Sequence, residues 1–234
     1  MYNNKPNFEK NHQLKAIIFD FDGVISESVN IKTESFKTIY SEYGNQIVKK
    51  VVNHHLSHGG ISRYEKFKLY HKRFLGIALN KQQIQEISNK FSELVVQKVI
   101  DAPYVPGAMD FIKENCKYYE FYISTGTPED EIIEILYKKG INNYFKSVYG
   151  SPIKKTDHVR AIMSQNNYSK NEIVFIGDAD TDIMAAKENE ISIILRIHES
   201  SKCKNQYLRL VKIDDLNNLA DVLANISTNN MLGE

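Results

Sequence analysis

Cysteine is scarce in this chain, with two residues, Cys116 and Cys203, among 234. They match neither a disulfide framework nor a zinc pattern, and they fit a reducing compartment. A surplus of one charge is missing too. Thirty Lys and Arg stand against 29 Asp and Glu, a formal charge of +1, so nothing draws the whole molecule towards nucleic acid or anionic lipid. The lysines are scattered and the aromatics are not interleaved with a basic stripe, which argues against nucleic acid as a partner. No apolar run approaches the roughly 20 residues of a membrane span, and the first 11 residues are polar with no apolar leader segment. The expected location is therefore the cytoplasm, with no membrane partner. Internal repeats and low-complexity tracts are absent.

What is present is a packed interior and one sharp motif. Hydrophobic residues make up 42% of the chain, enough for one large α/β domain or a core with a smaller inserted one. The apolar run Ala16 to Phe19 ends in Asp20, Phe21, Asp22 and Gly23, which reads as a buried strand opening into a tight turn. In a parallel α/β sheet, ligands bind at the strands' C-terminal edge, and two acids two residues apart can face one crevice with different jobs.

From about Val29 to Ile100 the apolar residues recur at helical spacing, with no convincing strand. The clearest helix is 80–97, with Asn80 as its N-cap and Ile84, Ile87, Phe91, Leu94 and Val95 in one stripe. Tyr40, Tyr43, Tyr64 and Tyr70 read as the small core of this helical unit. Pro103 and Pro106-Gly107 mark its end. Helices and strands then alternate: a helix over 107–114, a strand over 119–123 ending in Ser124-Thr125-Gly126, a helix over 129–139, a strand over 147–149 and a helix after Thr156. A buried strand over 173–176 runs into Gly177-Asp178-Ala179-Asp180-Thr181-Asp182, followed by a helix over 183–189 and a strand over 191–195. An edge strand over 207–211 and a last helix capped near Asp214 or Asp215 close the chain. The alternation predicts a Rossmann-like parallel sheet with helices on both faces.

Read together, the strand ends supply a chemistry. Asp20 and Asp22, Ser124 and Thr125, Lys154 and Lys155, and Asp178 with Asp182 all fall on one edge of the predicted sheet. Carboxylates, a hydroxyl and an ammonium converging there suit a divalent hard cation and a phosphoryl group, and Mg²⁺ prefers a few carboxylates plus waters and phosphate.

Asp20-Phe-Asp22-Gly-Val, the strand into Ser124-Thr-Gly, the lysine after Gly150-Ser-Pro152, and Gly177-Asp178-x-x-Thr-Asp182 resemble the four ordered motifs of the haloacid dehalogenase superfamily. The helical insert matches the position of the cap domain of its β-phosphoglucomutase and phosphoglycolate phosphatase branch. That resemblance implies a tail over 1–13, a core over 14–27 and 103–234, and a cap over 28–102. It implies Asp20 as nucleophile, forming an aspartyl-phosphate, and Asp22 as general acid and base, with a pKa raised towards neutrality. Mg²⁺ would be held by Asp20, the Asp22 carbonyl and Asp178, with Asp182 ordering a metal-bound water or the lysine. Ser124 and the Thr125 amide would hold phosphoryl oxygens. Either adjacent lysine can bridge phosphate and nucleophile; Lys155 is favoured by its place three residues after the proline. Dehalogenase members lack an acid at position 22, and this chain keeps one.

The implied activity is hydrolysis of a small phosphorylated metabolite, a sugar phosphate or a phosphoglycolate-like acid, by a monomer or weak homodimer. The alternatives are a phosphomutase on the same residues and a regulatory protein that keeps the metal and phosphate site without turnover. Within the cap, Gly59-Gly60-Ile61-Ser62-Arg63 resembles a loop that points an arginine at the substrate, so Arg63 is a substrate-binding candidate, while Lys32 and Glu34 face either the cleft or water. His54, His55 and His58 invite a metal reading, but no Cys or carboxylate completes the set, leaving a packed or solvent-facing trio with one member free to line the cleft. Asp180 is either a solvated loop acid or a further metal ligand.

Overall fold

The computed structural model describes residues 14–198 and 210–225. Six strands, β1 (Ala16–Phe19), β2 (Glu120–Pro128), β3 (Phe145–Ser151), β4 (Ile173–Gly177), β5 (Ser192–Arg196) and β6 (Val211–Ile213), form one sheet in the order 3-2-1-4-5-6. Every pairing is parallel. β1 lies in the middle and its four residues are fully buried, as its unbroken apolar run requires of a strand covered on both faces. Alternation sends Ile17 and Phe19 to one face, against Phe111 and Phe121, and Ala16 and Ile18 to the other, against Val159, Ile162 and Ala185.

Five helices belong to the α/β core: α5 (Ala108–Asn115), α6 (Glu129–Lys138), α7 (Lys155–Asn166), α8 (Asp180–Glu188) and α9 (Leu219–Asn225). The remaining four, α1 (Val29–Tyr40), α2 (Asn45–Ser57), α3 (Arg63–Tyr70) and α4 (Lys81–Asp101), lie between β1 and α5. They pack around Phe36, Tyr40, Val51, Phe67, Tyr70, Phe91 and Val95. Tyr43 is 37% exposed and Tyr64 half-buried, so only Tyr40 and Tyr70 of the four tyrosines belong to that core.

The two linkers run side by side. The Glu27 N–H donates to the Pro103 carbonyl and the Val105 N–H to the Ile25 carbonyl, with Ser26 bridged to Tyr104. Asn80 caps α4 as its sequence suggests: its side chain accepts from the Gln83 N–H and the Gln83 side chain accepts from the Asn80 N–H. Asn80→Ala should cost about 1 kcal/mol, read as a lower urea midpoint with an unchanged slope. At the other end of α4, Lys139 donates to the carbonyls of Ile100 and Ala102, at 2.8 Å each, tying the helix C-terminus to the core.

Several boundaries differ from the sequence reading. β2 continues through Pro128, where a turn is expected after Ile123, because the extended chain there still reaches Ser151 on β3. α7 and α8 begin earlier than periodicity suggests, at Lys155 and Asp180, because polar first turns carry no apolar signal. The last strand is Val211–Ile213, beginning at the residue where the predicted segment 207–211 ends; residues 207–209 of that segment, and the predicted tail over 1–13, lie outside the described residues.

Candidate active site

β1 pairs Phe19 with Ile123 of β2 and with Ile176 of β4, so Asp20, Ser124 and Gly177 stand at one level along the three strands. The chain turns to opposite sides at this point, since β2 lies on one flank of β1 and β4 on the other. Such a reversal leaves a crevice at the strands' C-terminal ends. Gly23 lets the turn close: its φ is +80°, and a Cβ there would run into the Asp178 carboxylate.

The centre of the site is a buried ion cluster. Asp20 is 3% exposed; its Oδ1 accepts from the Phe21 N–H at 2.7 Å and its Oδ2 lies 2.8 Å from Lys155 Nζ. Lys155 Nζ also donates to Asp182 Oδ1 at 2.6 Å. Lys154, next door, is exposed, so of the two lysines it is Lys155 that reaches Asp20. Burial pushes the Asp20 carboxyl up to about 6, against the pull of Lys155 and helped by Asp182 and Asp22. Burial works against the Lys155 ammonium as well, but Asp182 and Asp20 outweigh it and hold the lysine charged.

Asp22 departs from the expectation of a raised pKa. Burial acts in that direction, yet the Lys32 ammonium beside it and hydrogen bonds from Lys32, Ser28 and Thr127 outweigh it, holding the carboxyl below its ordinary range. Ser28 donates to Oδ1 at 2.6 Å; Lys32 and Thr127 share Oδ2, Thr127 at 3.1 Å. Lys32 comes from α1, so the helical insert itself supplies this charge. Glu34 faces outwards and pairs with Lys37.

Asp20, Asp178 and Asp182 each bring a carboxylate oxygen within 4.8 Å of the others. Oxygen donors of this kind fit a hard divalent cation. Asp182 is nonetheless committed elsewhere: it is fully buried, Oδ1 holds Lys155, and Oδ2 accepts from the N–H groups of Asp178 and Ala179. It orients the lysine and the loop, which leaves Asp20 and Asp178 as the two members of this trio that face the cleft. Asp178 Oδ2 meets His198 Nε2 at 2.8 Å, and burial raises its pKa against that hydrogen bond. Asp180 lines the cleft in the first turn of α8, outside the three-carboxylate group.

Two candidates sit differently from their sequence reading. Ser124 is fully buried, with its hydroxyl 2.9 Å from His158 Nδ1 on α7. Neighbouring strand residues point to opposite faces, so the residue that lines the cleft is Thr125. Arg63 lines the cleft too, but its guanidinium grips Glu131 of α6 through two bonds of 2.9 and 2.5 Å, donates to Ser92 at 2.9 Å, and lies over the Phe91 ring. A buried bidentate pair leaves it little to offer a ligand; it joins the helical insert to the core. Glu131→Gln should lower stability by about 1–2 kcal/mol, seen as a lower thermal midpoint, because one fork of the arginine then faces an amide.

The three histidines separate. His54 and His58 stack at 3.9 Å, and His54 Nδ1 meets the Tyr70 hydroxyl at 3.2 Å. His55 is buried and lines the cleft. Loop 59–61 rests on the core, the Gly59 carbonyl accepting from Thr181 at 3.4 Å and the Gly60 carbonyl lying where a Cβ on Gly126 would be. The helical unit thus closes over the crevice.

The sequence matches the model of the haloacid dehalogenase-like hydrolases over residues 17–195. The chain belongs to that family. It is an enzyme of the haloacid dehalogenase-like hydrolase kind. A phosphorylated carbohydrates phosphatase of Thermotoga maritima is 24% identical over 196 residues, 80% of this chain and 87% of that protein. Among solved structures, CbbY of Rhodobacter sphaeroides, in complex with xylulose-(1,5)bisphosphate, superposes with a TM-score of 0.69 at 16% identity, covering 88% of this chain and 96% of that one. A haloacid dehalogenase-like hydrolase of Streptococcus pneumoniae gives 0.65 at 20% identity, covering 90% and 99%. No helix among the described residues is long and apolar enough to cross a membrane.

Proposed function

We propose that this hydrolase is a Mg²⁺-dependent phosphatase of a small phosphorylated metabolite, a sugar phosphate or a phosphoglycolate-like acid, working through an aspartyl-phosphate on Asp20. The observation that carries the reading is the buried Asp20–Lys155–Asp182 cluster with Asp22 and Asp178 on the same cleft. The phosphatase relative from Thermotoga maritima, and the sugar bisphosphate bound by the CbbY neighbour, support a phosphorylated carbohydrate as substrate.

Mg²⁺ would be held by Asp20, Asp178 and the Asp22 carbonyl, and when bound it offsets charge on the transferred phosphoryl group. Asp20 attacks phosphorus, its Oδ–P bond forming as the ester P–O bond breaks. Lys155 and Thr125 hold the phosphoryl oxygens. Lys32 and Asp22 together carry one proton to give to the leaving oxygen and one carboxylate to take a proton from the attacking water. Asp182 acts through Lys155. Residues 28–102 serve as the cap, hinged at the paired linkers, and its closure keeps stray water from the acyl phosphate.

The test is phosphate release from a panel of phosphorylated sugars, acids and nucleotides, with Mg²⁺ or with EDTA. Release that needs Mg²⁺ is expected, falling with EDTA by at least about 10²-fold. Release indifferent to EDTA overturns the metal assignment. Conversion of a sugar phosphate to its isomer without free phosphate replaces the phosphatase reading by a mutase.

A further inference from the structure

The cap holds a second polar cluster that the phosphoryl chemistry leaves unused. Lys66 of α3 is 3% exposed and faces the cleft. The other buried or half-buried cations of this cleft have carboxylate partners: Lys32 has Asp22, Arg63 has Glu131, and Lys155 has Asp20 and Asp182. Lys66 has none among the described residues. Its Nζ lies 2.9 Å from His55 Nδ1 and 5.7 Å from the centre of the Phe36 ring.

That pairing assigns the His55 proton. An ammonium only donates, so with Lys66 charged Nδ1 accepts and the ring N–H is on Nε2. Nε2 is buried and finds no acceptor among the described residues, although His55 is itself 93% buried by its 7% exposure and lines the same cleft. Two buried donors therefore converge beside the active site with no anion to receive them. An uncompensated ammonium and an orphaned N–H are both costly in a protein interior, and a packing role would be served better by an apolar side chain. The deficit has a chemical sign: what is missing is an acceptor with negative charge.

We infer that Lys66 and His55 form a subsite for a second anionic group, a carboxylate or a phosphate, on the leaving part of the substrate. The inference deepens the phosphatase reading and rests on it for where the first phosphate lies. It narrows the substrate class to phosphorylated acids and bisphosphates. Burial, with the nearby Lys32 charge, pushes the Lys66 ammonium down to about 7 even though Asp22 acts in the opposite sense, and an anion beside it would restore the charge.

Binding without turnover tests this. With Mg²⁺ present, calorimetry on the full-length Asp20→Asn protein compares matched pairs: 2-phosphoglycolate with 2-hydroxyethyl phosphate, 3-phosphoglycerate with glycerol 3-phosphate, and fructose 1,6-bisphosphate with fructose 6-phosphate. In at least one pair the doubly anionic member should bind about 10-fold tighter or more, and Lys66→Met in the same background should bring that ratio to within about threefold. His55→Phe, which removes the Nε2 donor and keeps the lysine, should lower the same ratio part-way. Lys66→Met should also melt higher than its parent without ligand, since it removes an unpaired buried charge. No preference in any pair, or a preference unmoved by both substitutions, overturns the subsite. Phosphate release from wild type without such a preference would leave the phosphatase standing and the subsite refuted; a preference without phosphate release under any condition would do the reverse.

Discussion

Asp20→Asn should abolish phosphate release, lowering kcat/KM by about 10⁴-fold or more, as loss of a covalent nucleophile does in enzymes whose catalytic groups act as a unit. Asparagine has nearly the same shape and retains an oxygen to accept the Phe21 N–H at the position Oδ1 now occupies. Lys155 keeps Asp182 as a partner, so the fold survives the change. The variant should bind a phosphate ester while failing to release its phosphate. Stopped turnover with a retained thermal midpoint is the expected pair of readings; residual turnover within about 10-fold of wild type would make another group the nucleophile.

Lys155→Met should have the largest effect on stability. Lys155 is buried between two buried carboxylates, Asp20 at 2.8 Å and Asp182 at 2.6 Å. Removing it leaves both without a counter-charge, and breaking a buried pair of this kind costs about 3–5 kcal/mol. The pH dependence follows from the same carboxylates. Burial raises Asp20 and Asp182 even with the lysine present, and without it both rise further. A group whose folded pKa lies above its unfolded value stabilises at low pH and loses that contribution as pH rises through the folded pKa. The metal-free variant should therefore recover part of its lost thermal midpoint between about pH 8 and about pH 5, whereas a cavity effect would be indifferent to pH. Loss of phosphate release should accompany the destabilisation at every pH where the variant is folded.

The parts of this site legible in the sequence are those carried by short range. β1 announces itself as an apolar run ending in two acids, and the acids at 178 and 182 follow β4 in the same manner. Strand–helix alternation leads to the parallel sheet by the same local logic. What the chain does not reveal is what depends on register or on a distant partner. Ser124, Thr125 and Thr127 are three hydroxyls within four residues, and only the pleat of β2 decides that Ser124 turns to His158 while Thr125 lines the cleft. Arg63 reads as a free cation until Glu131, far along the chain, is seen to clasp it. Asp22 reads as a carboxyl awaiting a raised pKa until Lys32 arrives from the cap. His198 follows β5 in a stretch with no motif, and its contact with Asp178 is a product of the sheet order alone. Lys66 and His55 are the extreme case, since each is unremarkable at its own position and acquires meaning only when two helices bring them to 2.9 Å.

The central claim is that Asp20 carries the phosphoryl group. Rapid quenching of wild-type enzyme with substrate and Mg²⁺, followed by borohydride reduction and peptide mass spectrometry, reads it directly. An aspartyl-phosphate is reduced to homoserine, so the peptide spanning Asp20 should show homoserine at that position, dependent on both substrate and Mg²⁺ and absent from Asp20→Asn. Phosphate release with an unmodified Asp20, or with the modification on another carboxylate, would contradict the account.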